Sequence, residues 1–346
     1  MDENLRQLTS PDREFQEAKI RAFERGYRAV FVINIGLQFG IFKTLYAASE
    51  KSDTGGLTAK TLADRLSLYE PYLKIWLQTA YHFELLDCDS EMRFRLQPHM
   101  AEILGVDMGL EPDISNNSSS PLARYILTGR AAPHNRSPEE SLATARATQS
   151  IYMVFLSYIL EKYDHLKQLL NTGIHFIDVG CGSGNLIAEL ALAFPNSCFK
   201  GVDLDIYALE RAESSANTVG IEERVSFEDM AAEELDCREE FDVACMVATL
   251  HEIPPGDRPL ALENIHRALK PGGLLIILDF PYPEKIEEFR NQRYDIGIIE
   301  QFFEAPSGIV HLCADEQDKL LEKTGFGEIQ RSDLNKGMFD LIMAIK

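Results

Sequence analysis

The pattern of apolar and polar positions divides the chain into a helical first part and an alternating second part. From Phe15 to about Ala48 apolar residues recur at helical spacing, which predicts one or two long helices whose faces are covered by another surface. After Gly55-Gly56-Leu57, Thr58 is placed to cap a short helix carrying Leu62, Ala63 and Leu66, and a second helix is predicted from about Glu70 to Leu86 with Pro71 in its first turn. Asp87-Cys88-Asp89-Ser90 reads as a turn and Met92 to Leu96 alternates as a strand does, so helix, helix and a small β-wing predict a winged helix. Ser, Asn and Pro dominate from Glu111 to Glu140, a long loop with room for one short helix, and a helix from about Glu139 to Leu170 follows, ending near Asn171-Thr172-Gly173.

From Ile174 onward strand-like and helix-like runs alternate, the pattern of a largely parallel sheet covered on both faces. Candidate strands are His175–Val179, Cys198–Val202, Val225–Glu228, Phe241–Ala248, Leu274–Leu278, Glu328–Ser332 and Met338–Ile345. The last two are close enough in sequence to pair as an antiparallel hairpin. The expected organisation is a helical domain over 1–110, a loop and connecting helix over 111–170, and an α/β domain over 171–346.

The first of these strands runs into Gly180-Cys181-Gly182-Ser183-Gly184 and then a helix start near Leu186. Such a turn lets backbone approach a ligand at a strand's carboxyl end, while the helix start offers free N–H groups. The spacing is G-x-G-x-G, unlike the fingerprint of pyrophosphate-bearing dinucleotides. About twenty residues on, the second strand ends at Val202-Asp203-Leu204-Asp205, where a carboxylate can bond ribose hydroxyls; Asp203 is the candidate and Asp205 the alternate. The third strand ends at Glu228-Asp229-Met230, where Asp229 can accept from an adenine amino group. Each signal alone is weak, and the three in chain order are much more specific.

These residues resemble the successive motifs of the class I S-adenosylmethionine (SAM)-dependent methyltransferases: Asp178-Val179-Gly180-Cys181-Gly182-Ser183-Gly184, Gly201-Val202-Asp203-Leu204-Asp205, Leu250-His251-Glu252-Ile253 and Leu269-Lys270-Pro271-Gly272-Gly273-Leu274. The block from Leu57 to Pro98 resembles the winged-helix dimerisation domain of plant-type and bacterial small-molecule O-methyltransferases. The resemblance implies a Rossmann-like seven-stranded methyltransferase sheet with its last strand antiparallel, an N-terminal mainly α winged-helix domain and a homodimer built on it. It implies SAM as cofactor, held by Asp178, Gly180, Gly182, Gly184, Asp203, Leu204, Asp229 and Met230.

Methyl transfer from a sulfonium is an in-line displacement, so the protein must align the groups and remove a proton where the nucleophile carries one. His251 matches the family's catalytic histidine, and Asp279 resembles the acid that orients it; the competing readings are a histidine that only bonds backbone beside the cofactor and an aspartate that only caps a helix or pairs a cation. The sequence departs from the plant-type pattern at Glu252-Ile253, where those proteins carry Asp-Trp, and shows no counterpart of their second orienting acid near His311. The segment Pro281 to His311 lies where the family holds substrate and contributes Tyr282, Arg293, Tyr294 and His311; Tyr152 and Phe155 are further candidates. Core packing and a solvated helix face are the plainer readings of all six. Oxygen is the expected acceptor, with sulfur, nitrogen and carbon open. The rival readings are a methyltransferase fold that uses SAM for a non-methylating reaction such as cyclisation or decarboxylation, and a SAM-sensing winged-helix regulator.

Charge and composition narrow the partners. Among 346 residues, 55 acidic against 34 basic give a net charge of −21, which argues against nucleic acid and anionic membranes, whose affinity rests on Lys and Arg. The predicted second helix of the wing offers Tyr72, Leu73, Trp76 and Tyr81 with Lys74 as its base, a surface for packing rather than for a major groove. The polar, acidic start from Met1 to Ser10 is unlike a secretory signal, and the apolar stretch from Ala29 to Ala48 is interrupted by Asn34, Gln38 and Lys43, so no membrane span is expected. Six cysteines without C-x-x-C spacing fit reduced thiols in the cytoplasm, and no metal site is expected from local spacing.

Overall fold

The computed structural model describes residues 13–49, 56–105, 121–131, 136–334 and 337–346. The polar start, Gly55 and the loop stretches 111–120 and 132–135 lie outside the described residues. Two compact units divide the chain at 130/131.

The first unit contains α1 (Arg13–Gln38), α2 (Ile41–Ser49), α3 (Ala59–Leu66), α4 (Glu70–His82), β1 (Leu86–Cys88), β2 (Phe94–Leu96), α5 (Met100–Ile103) and α6 (Pro121–Thr128). Thr58 caps α3 as predicted, its hydroxyl accepting from the Thr61 N–H. Two boundaries differ from the sequence reading. The second helix stops at His82 because Glu84 adopts φ +59°, and Leu86–Cys88, part of which reads as a turn, pairs antiparallel with Phe94–Leu96. The turn proper begins at Asp89, whose carboxylate accepts from the N–H groups of Glu91 and Arg93.

The aromatic residues of α4 do not need a second chain to cover them. Tyr72, Leu73, Trp76 and Leu77 are fully buried, and the Trp76 indole donates to the Val32 carbonyl at 3.0 Å with the Phe42 ring against its edge. Val32, Ile35, Ile41 and Leu45 join this core, whereas Phe15, Ile20, Phe23, Tyr27 and Val30 on α1 stay 50% to 68% exposed. Among the described residues no single helix is long and apolar enough to cross a membrane. α1 and α2, bent by 68° at their junction, pass that test together by length and composition.

The second unit opens with α7 (Pro138–Ala147), α8 (Gln149–Val154), a π-helical turn over Phe155–Ile159, α9 (Leu160–Lys162) and α10 (Asp164–Thr172). The predicted unbroken helix over Glu139 to Leu170 is thus corrected to four pieces. A straight helix of that length would run about 48 Å, against about 20 Å for the strands it covers. The breaks at Thr148, the π turn and the non-helical Tyr163 let the chain follow the sheet while Ile151, Phe155, Ile159 and Leu166 remain buried.

The sheet consists of β3 (His175–Val179), β4 (Cys198–Asp203), β5 (Val225–Asp229), β6 (Phe241–Val247), β7 (Leu269–Asp279), β8 (Gly327–Leu334) and β9 (Phe339–Ile345), in the order β5-β4-β3-β6-β7-β9-β8. The first five pair in parallel, and β9 runs antiparallel between β7 and β8, as the sequence predicts. Alternate residues face two cores: Phe176, Val243 and Ile276 on one side, Ile177, Ala244 and Ile277 on the other. Helices α11 (Asn185–Ala193), α12 (Ile206–Val219), α13 (Arg258–Ala268), α14 (Asp295–Glu304) and α15 (Ala314–Lys323) complete the unit. Strand order reverses between β3 and β6, and a ligand crevice is expected beyond their carboxyl ends.

Candidate active site

At that switch point lies a cavity of about 750 Å³, bounded by the glycine-rich turn, the ends of β4 and β6, and the α7–α8 segment. The N–H groups of Gly180 and Cys181 both donate to the Val202 carbonyl, at 2.8 and 3.1 Å, which folds the turn against β4. The Asp203 carboxylate accepts from the Gly182 N–H at 2.7 Å and from the Asp205 N–H at 2.8 Å, so it is fixed at the cavity wall with further lone pairs free to accept. Asp205, the alternate ribose ligand, also lines the cavity and is the N-cap of α12, accepting from Tyr207 and Ala208.

The glycines do different work. At Gly180 (φ +79°) a Cβ would collide with Thr249, and at Gly184 it would stand 2.7 Å from the Phe227 ring and 2.9 Å from Ala212, so these two positions serve close packing. Gly182 (φ +51°) lines the cavity, and a Cβ there meets no protein atom within 4 Å. That side chain would occupy ligand space. Behind the turn, Asp178 is buried and accepts from the Cys245 thiol at 3.1 Å. Burial raises its carboxyl, the Cys245 bond opposes this and the Asp203 charge adds to it, leaving the group at about 7.

Past β6 the backbone is strained at Ala248 (φ +53°) and then carries His251 to the end of β7. The His251 Nδ1 lies 2.6 Å from the Asp279 carboxylate, which also accepts from the backbone N–H groups of His251 and Phe280. Burial disfavours the imidazolium, but the charges of Asp279, Glu304 and Glu252 and the Asp279 bond outweigh it and lift His251 to about 9. Its Nε2 faces Glu304 at 3.9 Å, and that same carboxylate oxygen holds the Nε2 of His311 at 3.0 Å. The two rings stack with centroids 4.4 Å apart. Burial, with the neighbouring His251, pushes His311 below the usual histidine range against the pull of Glu304 and Asp279, while the His311 bond and the charges of both histidines hold Glu304 low despite its burial and the nearby Asp279.

A family model described as a methyltransferase domain matches residues 176–273. An O-methyltransferase, rstn1, of Aspergillus nomiae is 30% identical over 47% of this chain and 68% of its own length. The chain belongs to the class I SAM-dependent methyltransferases. The N,N-dimethyltransferase OxyT of Streptomyces rimosus is 25% identical over 92% of this chain and 94% of its own. In fold, the chain is similar to a crystal structure of an O-methyltransferase family 2 protein from Planctomyces limnophilus in complex with apigenin, with a TM-score of 0.69 and 14% identity over 93% and 94% of the two chains. The rival readings, non-methylating chemistry and a SAM-sensing regulator, are not favoured by these relatives.

SAM is the cofactor of this methyltransferase, and the open space facing Gly182 fits a ligand pressed against the turn. Asp178, Gly180, Gly182, Asp203, Leu204 and Met230 line the cavity. Gly184 packs beneath the turn, and Asp229 sits exposed at the end of β5, outside the lining.

The substrate candidates are scattered. Tyr152 lines the cavity, whereas Phe155 is fully buried in the core. Tyr282 is packed edge-on against Phe289 and stands 5.8 Å from His311, ring to ring. The Arg293 guanidinium is committed to Asp333 and to Asp340, with Tyr294 beside it. His251 itself does not line the cavity. Its neighbours Thr249, Glu252 and Ile253 do.

Sequence reading missed the α7–α8 wall, formed by Arg136, Ser141, Thr144 and Thr148, and it missed Glu304. Arg211 ties this wall to the glycine turn, donating to Ser183 at 3.1 Å and to Ser141 at 2.6 Å. A signal for α7 was present: Ser137 and Glu140 form a complete capping box. Glu304 has no local signal, because its partners lie fifty residues before it and seven after it.

Proposed function

We propose that this methyltransferase acts on an oxygen of a small molecule, with His251 taking the acceptor's proton and Asp279 holding the imidazole. The observation that carries the reading is the buried 2.6 Å bond between His251 Nδ1 and Asp279, at the strand ends beside the cavity. Because His251 is held near 9, the base is the neutral form, which grows as pH rises toward that value: with Nδ1–H donated to the carboxylate, its Nε2 then keeps the lone pair that accepts a proton. SAM when bound supplies an electrophilic methyl group on a sulfonium sulfur; the new O–CH3 bond forms as the S–CH3 bond breaks, and S-adenosylhomocysteine leaves. The hydroxyl proton passes to Nε2, and Glu304, 3.9 Å away with its side chain a quarter exposed, carries it outward. A hydroxyl needs such a base, which favours oxygen over an amine that attacks as the free base.

On the donor side, the backbone at Gly180 and Gly182 approaches the ligand, Asp203 accepts from ribose hydroxyls, Leu204 and Met230 border the adenine, and Asp229, exposed at the end of β5, is the candidate acceptor for its amino group. Asp178 faces the cationic end, Gly184 supports the turn, and Tyr152 borders the acceptor. The first unit is proposed as a winged-helix dimerisation domain of a cytoplasmic homodimer, supported by the exposed apolar stripe on α1. The net charge of −21 speaks against a nucleic-acid partner.

The test is single-turnover methyl transfer in His251→Ala, with SAM affinity measured alongside. The rate falls by about 10²- to 10⁴-fold while affinity stays nearly constant, and adding Asp279→Ala makes the enzyme hardly worse. A near-full rate in His251→Ala removes the base role.

A further inference from the structure

We propose that Arg136 and Arg211 are positioning residues that latch α7 over the cavity as a cover, which opens for SAM to enter and closes on it before methyl transfer. What holds α7 in place is polar. Ser141 is the buried residue among the described side chains of this helix and Leu142 stays 40% exposed, so α7 lacks the apolar face that would fasten it to the sheet. Beyond the break at Thr148 the chain changes character, with Ile151, Val154 and Phe155 buried in the core. Even so, α7 walls the cavity with Ser141, Thr144 and Ala145. The Ser137–Glu140 capping box braces the helix locally, so it moves as one body about Thr148.

Two arginines make the attachment. Arg136, just ahead of the N-cap of α7, reaches Glu252 at 3.3 Å and Asp205 at 3.9 Å. Asp205 follows β4 and Glu252 follows β6, and β3 with its glycine turn lies between those strands, so the guanidinium spans the switch point. It lines the cavity and its side chain is a quarter exposed, which puts it between ligand space and solvent. Arg211, on α12, donates to the buried Ser141 hydroxyl at 2.6 Å and to Ser183 of the glycine turn at 3.1 Å. The anchors therefore sit beside Asp203, His251 and Gly182, on the segments assigned to the cofactor and the reacting centre. Partly exposed ion pairs shift an equilibrium by about fivefold at most, so a helix held in this way opens readily. A ligand that packs against its inner face draws it closed, and closure keeps water from the sulfonium during the transfer.

The cover rests on the proposed placement of SAM against the glycine turn, and the two are tested apart. The experiment uses full-length protein with S-adenosylhomocysteine, which binds without reacting, and follows amide hydrogen exchange. In wild type the ligand raises protection over the turn, 180–184, and over α7, 139–147. Stopped-flow release of the ligand then speeds up by about two- to fivefold in Arg136→Gln and by about tenfold or more in Ser141→Ala, which takes an acceptor from the Arg211 guanidinium. Circular dichroism shows each variant folded. Raising ionic strength from about 0.05 M to about 0.5 M speeds release from wild type and from Ser141→Ala but leaves Arg136→Gln unmoved, and Arg136→Lys recovers the salt response. A general loosening of the fold does not single out the charged link. Protection that rises over the turn and not over α7, or release unchanged in both Arg136→Gln and Ser141→Ala, overturns the cover. Protection that rises over neither segment overturns the placement of SAM and the cover with it.

Discussion

Asp178 couples the cavity to pH. Its carboxyl is raised from 3.8 to about 7, first by burial and then by the Asp203 charge, against the Cys245 bond, with the Cys181 thiol as the other titratable neighbour. A shift of about three units corresponds to about 4 kcal/mol of penalty for ionising the group in the fold. Below about pH 4 the carboxyl is neutral in both folded and unfolded chains and costs nothing. Between about 4 and 7 the folded protein keeps a proton that the unfolded chain releases, so stability falls by about 1.4 kcal/mol per pH unit; above about 7 the loss is complete. SAM is cationic and favours the ionised carboxylate, so binding below pH 7 must expel the proton. At pH 6 most of a proton is released per SAM bound, and affinity weakens by up to about tenfold per pH unit further down. Calorimetry in buffers of different ionisation enthalpy reads the proton directly. Asp178→Asn abolishes the release and flattens the pH dependence, and it raises stability at pH 8 relative to wild type while weakening SAM binding. A wild-type SAM affinity that is flat between about pH 5.5 and 8, with no proton released, refutes the reasoning.

Gly182→Val places a side chain in ligand space on a backbone at φ +51°, where a residue with a Cβ costs about 1–2 kcal/mol. SAM affinity measured by calorimetry falls by about tenfold or more, while circular dichroism shows the fold retained; unchanged affinity removes the turn from the SAM site. Phe23→Asp with Tyr27→Asp puts charge into the exposed stripe of α1, and light scattering then finds monomers where wild type gives dimers. A wild-type chain that is monomeric at micromolar concentration ends the dimer reading.

What the sequence disclosed was local. The strand, the glycine turn and the next helix are contiguous, and the roles proposed for Gly182 and Asp203 depend on neighbours within about twenty residues, so periodicity and turn chemistry suffice to locate the turn and to propose those roles. The hairpin of β8 and β9 was legible for the same reason. The connecting helix was misread because helical periodicity carries no information about the length of the sheet the helix must cover. The pairing of Arg293 with Asp333 and Asp340 was not legible, because those carboxylates reach it only once that hairpin has formed. Glu304 and His311 were opaque as a pair with His251, since nothing in composition or spacing brings residues more than fifty positions apart to one carboxylate oxygen.

One buried side chain explains how those distant segments are held in register. Arg258, at the start of α13, donates from Nε to the Ile253 carbonyl and from one terminal nitrogen to the carbonyls of His251 and Val310. It therefore fastens the loop carrying His251 to the segment carrying His311 and gives the His251 and Val310 carbonyls a donor. Burial lowers the guanidinium to about 10 against the favourable charges of Asp279 and Glu316, so it remains a cation at neutral pH. A planar group with fixed donors can serve three carbonyls at once, which a lysine ammonium of the same charge does less well. Ala248 and His251 precede that clamp in the chain and His311 follows it. The local sequence Glu252-Ile253 belongs to a loop organised from behind by Arg258 and not only from the cavity side.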